Sequence, residues 1–330
     1  MSSGNGHAPV PTEIAELQFP RVEIYVPPPP RRRRRPIVLP LLLFLLTIIS
    51  TLAVGAEFAR SYANGVEPFS TDDNPFTTMI QPILHPGLLK LGIPFSFTLL
   101  TILLAHELGH YFACRLNGIE ATYPYFIPAP TLFGTLGAFI RIRSRIPTRR
   151  ALFDVGLSGP VVGFIFAVPA LIFAIANSKY VPPEAWDPNA LHFGNPPLVQ
   201  LLAAVLHPQE NVQALLLNPV GRAAWVGLFV TALNLIPAWQ LDGGHILYSL
   251  TPEQHRRISL FIGVVLLAMG WFMWPGWYLW GGLILAFSIF FRHPPLLDRF
   301  EQLDPRRRLW AVIGLIIFLL SFTPWPTTNP

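Results

Sequence analysis

The sequence is poor in cysteine and in charged residues. It has 330 residues but a single cysteine, Cys114, which excludes an intramolecular disulfide and a zinc site built from several cysteines. A bound metal would therefore take histidine, aspartate or glutamate ligands. Only 12% of the residues are charged and 52% are hydrophobic, a balance that excludes an ordinary soluble domain. The composition predicts an integral membrane protein.

The net charge of +5 does not indicate a nucleic-acid partner. The arginines lie beside apolar segments, as residues that flank membrane spans do, instead of interleaving with aromatic residues on a polar surface. No internal repeat of fixed period is visible. The expected partner is the lipid bilayer, and no nucleic acid.

Apolar segments divide the chain into four regions. Residues 1–36 are a Pro- and Arg-rich tail, ending in PPPPRRRRR, which is expected to be disordered in the cytoplasm. Residues 37–92 contain a first transmembrane span and an outer loop, residues 93–250 a membrane core, and residues 251–330 the C-terminal spans. The predicted fold is an all-α polytopic membrane protein with about six to eight transmembrane helices. The predicted spans are 37–57, 93–115, 152–177, 222–239, 257–274, 276–291 and 308–323.

Basic residues predict how the chain is oriented. Arg31–Arg35 precede the first span and place the N-terminus in the cytoplasm, whereas the loops 58–92 and 178–220 contain few basic residues. We therefore expect an integral protein of the cytoplasmic or inner membrane. The first span is interpreted as retained; the alternative is a cleaved signal, since Val54-Gly55-Ala56 has the small residues of a cleavage site.

Three ionisable residues lie inside the second apolar segment, in the sequence His106-Glu107-Leu108-Gly109-His110. Residues four apart lie on one face of a helix, so the two imidazoles can reach a single zinc ion. Glu107 is offset around the helix and can approach an activated water without binding the metal. The spacing favours a zinc site over a polar helix face that only lines an aqueous cavity.

Two histidines leave zinc one protein ligand short, with the fourth position kept for water. Two aspartates, Asp154 and Asp242, lie near the ends of predicted spans, whereas five others lie in predicted loops: Asp72, Asp73, Asp187, Asp298 and Asp304. Asp242 is the preferred ligand and Asp154 the alternative. Pro237 is expected to break the helix, and Gly243 follows Asp242 in a turn that can aim its carboxylate into the bundle.

A third segment, Phe133–Arg141, is β-prone and punctuated by glycine. It follows several prolines and predicts a small membrane-embedded, re-entrant β-hairpin near the active site. An exposed strand edge there would pair with an extended substrate, and a loop that only packs against the bundle is the alternative. The predicted substrate-binding residues are Gly134, Thr135, Leu136, Gly137, Ala138 and Phe139.

Other polar or small residues receive no chemical role. Ser158, Gly159, Pro160 and Gly163 are interpreted as close-packing positions between helices. Cys114 is interpreted as a small packing residue. The histidines that fall in predicted interfaces or loops are expected to be incidental: His85, His192, His207, His255 and His293.

Three motifs occur in a fixed order over about residues 93–250: HELGH, then FGTLGAFIRI, then NLIPAWQLDGG. As a set they resemble the site-2 protease family of intramembrane zinc metalloproteases. The resemblance implies one zinc ion per chain, bound by His106, His110 and Asp242. It also implies that Glu107 is the general base and that Asn234 holds the substrate or the developing oxyanion.

The resemblance implies an endopeptidase that hydrolyses peptide bonds within or near transmembrane segments of other membrane proteins, expected to be single-pass. Its active site would lie near the cytoplasmic side of residues 93–250, the catalytic membrane core. The alternative function is a metal or proton transporter that uses the same His, Glu and Asp cluster. The oligomeric state is left open.

Overall fold

A computed structural model describes residues 37–69, 74–182, 189–291, 293–294, 296–298 and 301–328. The tail predicted at 1–36 lies outside the described residues. The described chain is mainly helical. In chain order its α-helices are α1 Val38–Asn64, α2 Pro75–Leu84, α3 Pro86–Leu89, α4 Ile93–Leu116, α5 Arg149–Ala176, α6 Pro197–Leu206, α7 Pro219–Leu235, α8 Asp242–Leu250, α9 His255–Phe272, α10 Gly276–Phe290 and α11 Pro305–Ser321.

Each of the seven predicted spans overlaps a helix, namely α1, α4, α5, α7, α9, α10 and α11. Within the described residues, four helical segments are long and apolar enough to cross a bilayer: Val38–Asn64, Pro86–Leu116, Arg149–Ala176 and His255–Phe272. A crossing needs about 20 residues, and α7, for example, has 17. The protein is therefore a mostly helical membrane protein with four candidate spans.

Local sequence explains where the main helices begin. The Thr148 hydroxyl accepts a hydrogen bond from the Ala151 amide at the start of α5, and Asn218 caps α7 in the same way. Pro219 follows Asn218 at the first position of α7, where a missing amide hydrogen costs nothing. α7 ends at Leu235, two residues before Pro237, so the predicted helix break lies where proline requires it.

A β-hairpin packs against α1 and α4. Its strands, β1 Tyr125–Pro128 and β2 Thr135–Phe139, are antiparallel, with Phe126 opposite Ala138. Gly134, directly before β2, has a φ of 75°. A Cβ added at this residue would lie 2.7 Å from the Ser50 carbonyl oxygen. Glycine is thus required there both by the backbone conformation and by the contact with α1. The segment expected to be β-structure thus lies in a small antiparallel sheet.

Short strands join the loops at the other end of the bundle. β3 Lys179–Tyr180 pairs with β5 Leu215–Leu216, and β4 His192–Phe193 pairs with β6 Thr327–Thr328, both antiparallel. Beside them, Arg222 on α7 forms a buried ion pair with Glu67, in which Arg222 Nη2 lies 2.6 Å from Glu67 Oε1. Both side chains are only 4% exposed. This pair attaches the segment after α1 to the first turn of α7.

Candidate metal centre

The two histidines of HELGH lie on one face of α4, as their spacing predicts. Both are buried, His106 at 3% and His110 at 6% exposure. Asp242 is the first residue of α8, and its side chain is 14% exposed. One helix therefore supplies two imidazoles and the start of another supplies a carboxylate, although 136 residues separate His106 from Asp242.

The three ligand atoms form a nearly equilateral triangle. The Nε2 atoms of His106 and His110 lie 3.0 Å apart, and Asp242 Oδ2 lies 3.2 Å from the first and 3.3 Å from the second. In a tetrahedral zinc site with ligands at about 2.0–2.1 Å, neighbouring ligand atoms are about 3.3 Å apart. The donor set and its spacing therefore fit three of the four ligands of a tetrahedral zinc ion.

Glycines allow Asp242 to reach the histidines. After α7 ends, the chain turns sharply, and the Leu241 amide donates to the Ala238 carbonyl at 3.3 Å. A Cβ on Gly243 would lie 2.1 Å from the Leu235 carbonyl oxygen, and a Cβ on Gly244 would lie 2.4 Å from that of Ala238. Side chains at these two positions would push α8 away from the end of α7. The glycine pair thus fixes the carboxylate by close backbone approach.

A row of glycines on α5 makes room for the ligand side chains. A Cβ on Gly159 would lie 2.1 Å from His110 Nε2, and a Cβ on Gly163 would lie 3.2 Å from the His106 ring. A Cβ on Gly156 would lie 3.0 Å from the Asp242 carbonyl oxygen. These residues bring α5 against all three ligand residues, a role beyond the close packing that the sequence predicted for Gly159 and Gly163.

Two further predicted residues lie beside the triangle. Asn234 is on the last turn of α7, and its Nδ2 lies 3.4 Å from His106 Nε2. Glu107 is 5% exposed, and the backbone amide of Ile140 lies at its carboxylate. Because Ile140 directly follows β2, the carboxylate is located between α4 and the end of the hairpin.

The segment predicted to bind substrate, residues 134–139, is therefore next to this centre. Thr135 is buried at 6% exposure, whereas Leu136 is 68% and Phe139 46% exposed. The Thr135 hydroxyl donates to the Ile127 carbonyl oxygen at 2.8 Å and so fixes β2 on β1. Strand β2 thus combines an anchored residue with apolar side chains that are free to contact another molecule.

Asp154, the alternative third ligand, lies elsewhere. Its two carboxylate oxygens accept from Nε and Nη2 of Arg307 on α11, at 2.8 and 2.6 Å. Within the described residues, the one group of three potential metal ligands is His106, His110 and Asp242. Cys114 is fully buried in a small cluster with Ala121 and Val155, in agreement with a packing role.

Comparison with known proteins gives independent information about the family. The model of peptidase family M50 matches residues 94–271. The chain is similar to "Probable zinc metalloprotease EGY1, chloroplastic" of Arabidopsis thaliana, with 33% identity over 62% of this chain and 38% of the relative. It is also similar to EGY2 of Oryza sativa subsp. indica, named in the same way, with 30% identity over 72% of this chain and 44% of the relative.

A further relative, "Probable zinc metallopeptidase EGY3, chloroplastic" of Arabidopsis thaliana, is 27% identical over 70% of this chain and 42% of its own length. The chain spans about two fifths of the length of these relatives. No solved structure matches it. The family match covers more than half of the 330 residues and includes HELGH and the Asp242 turn; the chain therefore belongs to peptidase family M50, the site-2 protease family that its motifs resemble.

Proposed function

We propose that this chain is an intramembrane zinc endopeptidase, which hydrolyses peptide bonds within or near transmembrane segments of other membrane proteins. The observation that carries the proposal is the convergence of His106, His110 and Asp242 with zinc-like spacing in a member of family M50. The names of the relatives point in the same direction. The family match favours this function over the transporter alternative.

One zinc ion per chain would be held by His106 Nε2, His110 Nε2 and Asp242 Oδ2. When bound, zinc supplies a Lewis acid that activates water and polarises a carbonyl oxygen. The aspartate also offsets one of the two positive charges of a divalent cation in a buried place, where an uncompensated charge is costly. Residues 93–250 form the catalytic core in this proposal.

Glu107 is the proposed general base. Its carboxylate lies on the same helix as the histidines but is not one of the three converging ligands, so it is free to exchange protons. It takes a proton from the attacking water and delivers it to the nitrogen of the leaving amine as the carbon–nitrogen bond breaks. Asn234 Nδ2 donates a hydrogen bond to the carbonyl oxygen of the scissile peptide, which orients that group.

The hairpin is the proposed docking strand for the substrate. A transmembrane helix hides its carbonyl groups in its own hydrogen bonds and must be unwound before hydrolysis. Residues Gly134–Phe139 offer an extended backbone beside Glu107, so an unwound segment can add to this strand and replace the lost hydrogen bonds. The exposed side chains of Leu136 and Phe139 suit an apolar substrate.

We further propose six to eight transmembrane helices, a re-entrant hairpin and a cytoplasmic N-terminus. Arg149 supports a centre near the cytoplasmic side, since its guanidinium donates to the Ser249 and Leu250 carbonyl oxygens at the end of α8, both at 2.8 Å. The helix that carries Asp242 thus ends beside an arginine, a residue type that favours the inner side. The proposed partners are single-pass membrane proteins.

The proposal is tested by reconstituting the protein with single-span reporter substrates and comparing Glu107→Gln with wild type. We expect cleavage to fall by roughly 100-fold or more, because a positioned general base contributes about 10²–10⁴. Zinc content should stay unchanged. The matched control is Glu57→Gln on α1, whose carboxylate pairs with the exposed Arg60 and should not alter cleavage. Equal cleavage by Glu107→Gln and wild type would contradict the proposal.

A further inference from the structure

Trp239, in the turn just before Asp242, has an unusual backbone conformation. Its φ is 50°, the one positive value at a non-glycine residue within the described chain. A bulky residue adopts this left-handed region at a cost, and it persists only where surrounding contacts hold it.

Both backbone polar groups of Trp239 are bonded to side chains of α9. Its amide donates to the Ser259 hydroxyl at 3.0 Å, and its carbonyl oxygen lies 3.0 Å from His255 Nε2. Because a carbonyl oxygen only accepts, Nε2 of His255 is the donor. The Ser259 hydroxyl in turn donates to the His255 carbonyl oxygen at 2.9 Å. Both side chains are buried, with His255 5% and Ser259 0% exposed.

The side chain of Trp239 is held from α10. Its ring stacks on Phe287 with a centroid distance of 4.1 Å and an interplanar angle of 11°. Such stacking contributes beyond the area that it buries. Three contacts from two helices therefore fix the amide, the carbonyl and the ring of one residue.

The position of Asp242 depends on this residue. A Cβ on Gly244 would lie 2.4 Å from the Trp239 carbonyl oxygen, so the first turn of α8 lies directly against that carbonyl. The intervening chain is short, and a rotation of the Trp239 peptide would move the start of α8. A displacement of the Asp242 carboxylate by even 1 Å would change its distances to His106 and His110 too much for zinc, since the three ligand atoms now lie 3.0–3.3 Å apart.

We propose that His255 and Ser259 are positioning residues for the metal centre, acting through Trp239 on Asp242. The inference rests on the proposed zinc endopeptidase function and extends it to α9, a helix without any ligand or base. His255, expected from the sequence to be incidental, thereby receives a role. The two residues touch neither substrate nor metal; they set the place of the carboxylate.

The test measures zinc affinity by competition with a chelator on the full-length protein in detergent. His255→Phe keeps a ring but removes the donor, and we expect affinity to fall roughly 10- to 100-fold, the usual effect of losing a residue that orients a metal ligand. His255→Gln retains an N–H donor at similar reach and should restore affinity to within about threefold of wild type. Ser259→Ala, which changes little volume, should lose about tenfold.

The matched control is Phe261→Ala, on the exposed face of α9 at 66% exposure, which should leave zinc affinity unchanged. A general loosening of α9 would lower affinity in this variant as well, and that result would overturn the proposal. Wild-type affinity in both His255→Phe and Ser259→Ala would also overturn it. If wild type itself binds no zinc, the proposed function fails first, so the two failures are distinguishable.

Discussion

His110 Nδ1 lies 2.7 Å from the backbone carbonyl oxygen of Val155. The carbonyl can only accept, so Nδ1 carries the hydrogen and Nε2 presents its lone pair towards His106 and Asp242. Val155 belongs to α5, whereas His110 belongs to α4. The form of the imidazole that binds a metal is thus determined by the packing of these two helices.

Gly159→Ala should damage the metal centre although Gly159 is not a ligand. The new methyl group would lie 2.1 Å from His110 Nε2, and either the ring or α5 would have to move. We expect zinc affinity to fall at least 10-fold, with activity falling in parallel. Chelator competition on the purified variant measures the affinity.

Gly282→Ala is the control for this prediction. Gly282 also lies within an apolar helix, α10, but an added Cβ there would have no atom within 4 Å. Its zinc affinity should equal that of wild type. A Gly159→Ala variant that binds zinc as tightly as Gly282→Ala would show that His110 is not constrained by α5.

Substitution on the hairpin should separate substrate binding from metal binding. Leu136→Asn makes an exposed apolar side chain polar, and its loss from an apolar contact costs about 1–2 kcal/mol. We expect KM for a single-span substrate to rise roughly 10-fold, while zinc content stays constant. Leu297→Asn, at a residue of similar exposure, 65%, is the control and should leave KM unchanged. Unaltered KM in Leu136→Asn would argue against docking on this strand.

The ion pair between Glu67 and Arg222 predicts a stability effect far from the centre. Both side chains are 4% exposed, so Glu67→Gln leaves a buried guanidinium without its charge partner. We expect a loss of about 3–5 kcal/mol in the free energy of unfolding, measured by denaturant titration in detergent. Glu57→Gln, which breaks an exposed pair with Arg60, should cost less than about 1 kcal/mol. Similar losses in both variants would contradict this account.

The sequence predicted those parts of the site that depend on periodicity within one helix. HELGH specified the two imidazoles because residues four apart share a face, and the break at Pro237 located the end of α7. The third ligand stayed open between Asp154 and Asp242, since both lie near helix ends. Only tertiary contacts distinguish the two aspartates: the carboxylate of Asp154 is paired with Arg307.

Features that depend on contacts between distant segments were not predictable in this way. The Val155 carbonyl is a backbone group, so no residue type signals it. Gly159 and Gly163 were visible as small residues in the predicted span, but they indicate only close packing until the partner surface is known. Likewise, nothing in the sequence links His255 to Trp239, because their hydrogen bond depends on how α9 packs against the turn.

Metal analysis of three purified proteins tests the central claim most directly: wild type, Asp242→Ala and Asp154→Asn. Wild type and Asp154→Asn should each contain one zinc ion per chain, since Asp154 pairs with Arg307. Asp242→Ala should lose the ion, because two imidazoles alone leave zinc one protein ligand short. One zinc ion retained in Asp242→Ala, or lost in Asp154→Asn while the protein stays folded, would contradict a centre formed by His106, His110 and Asp242.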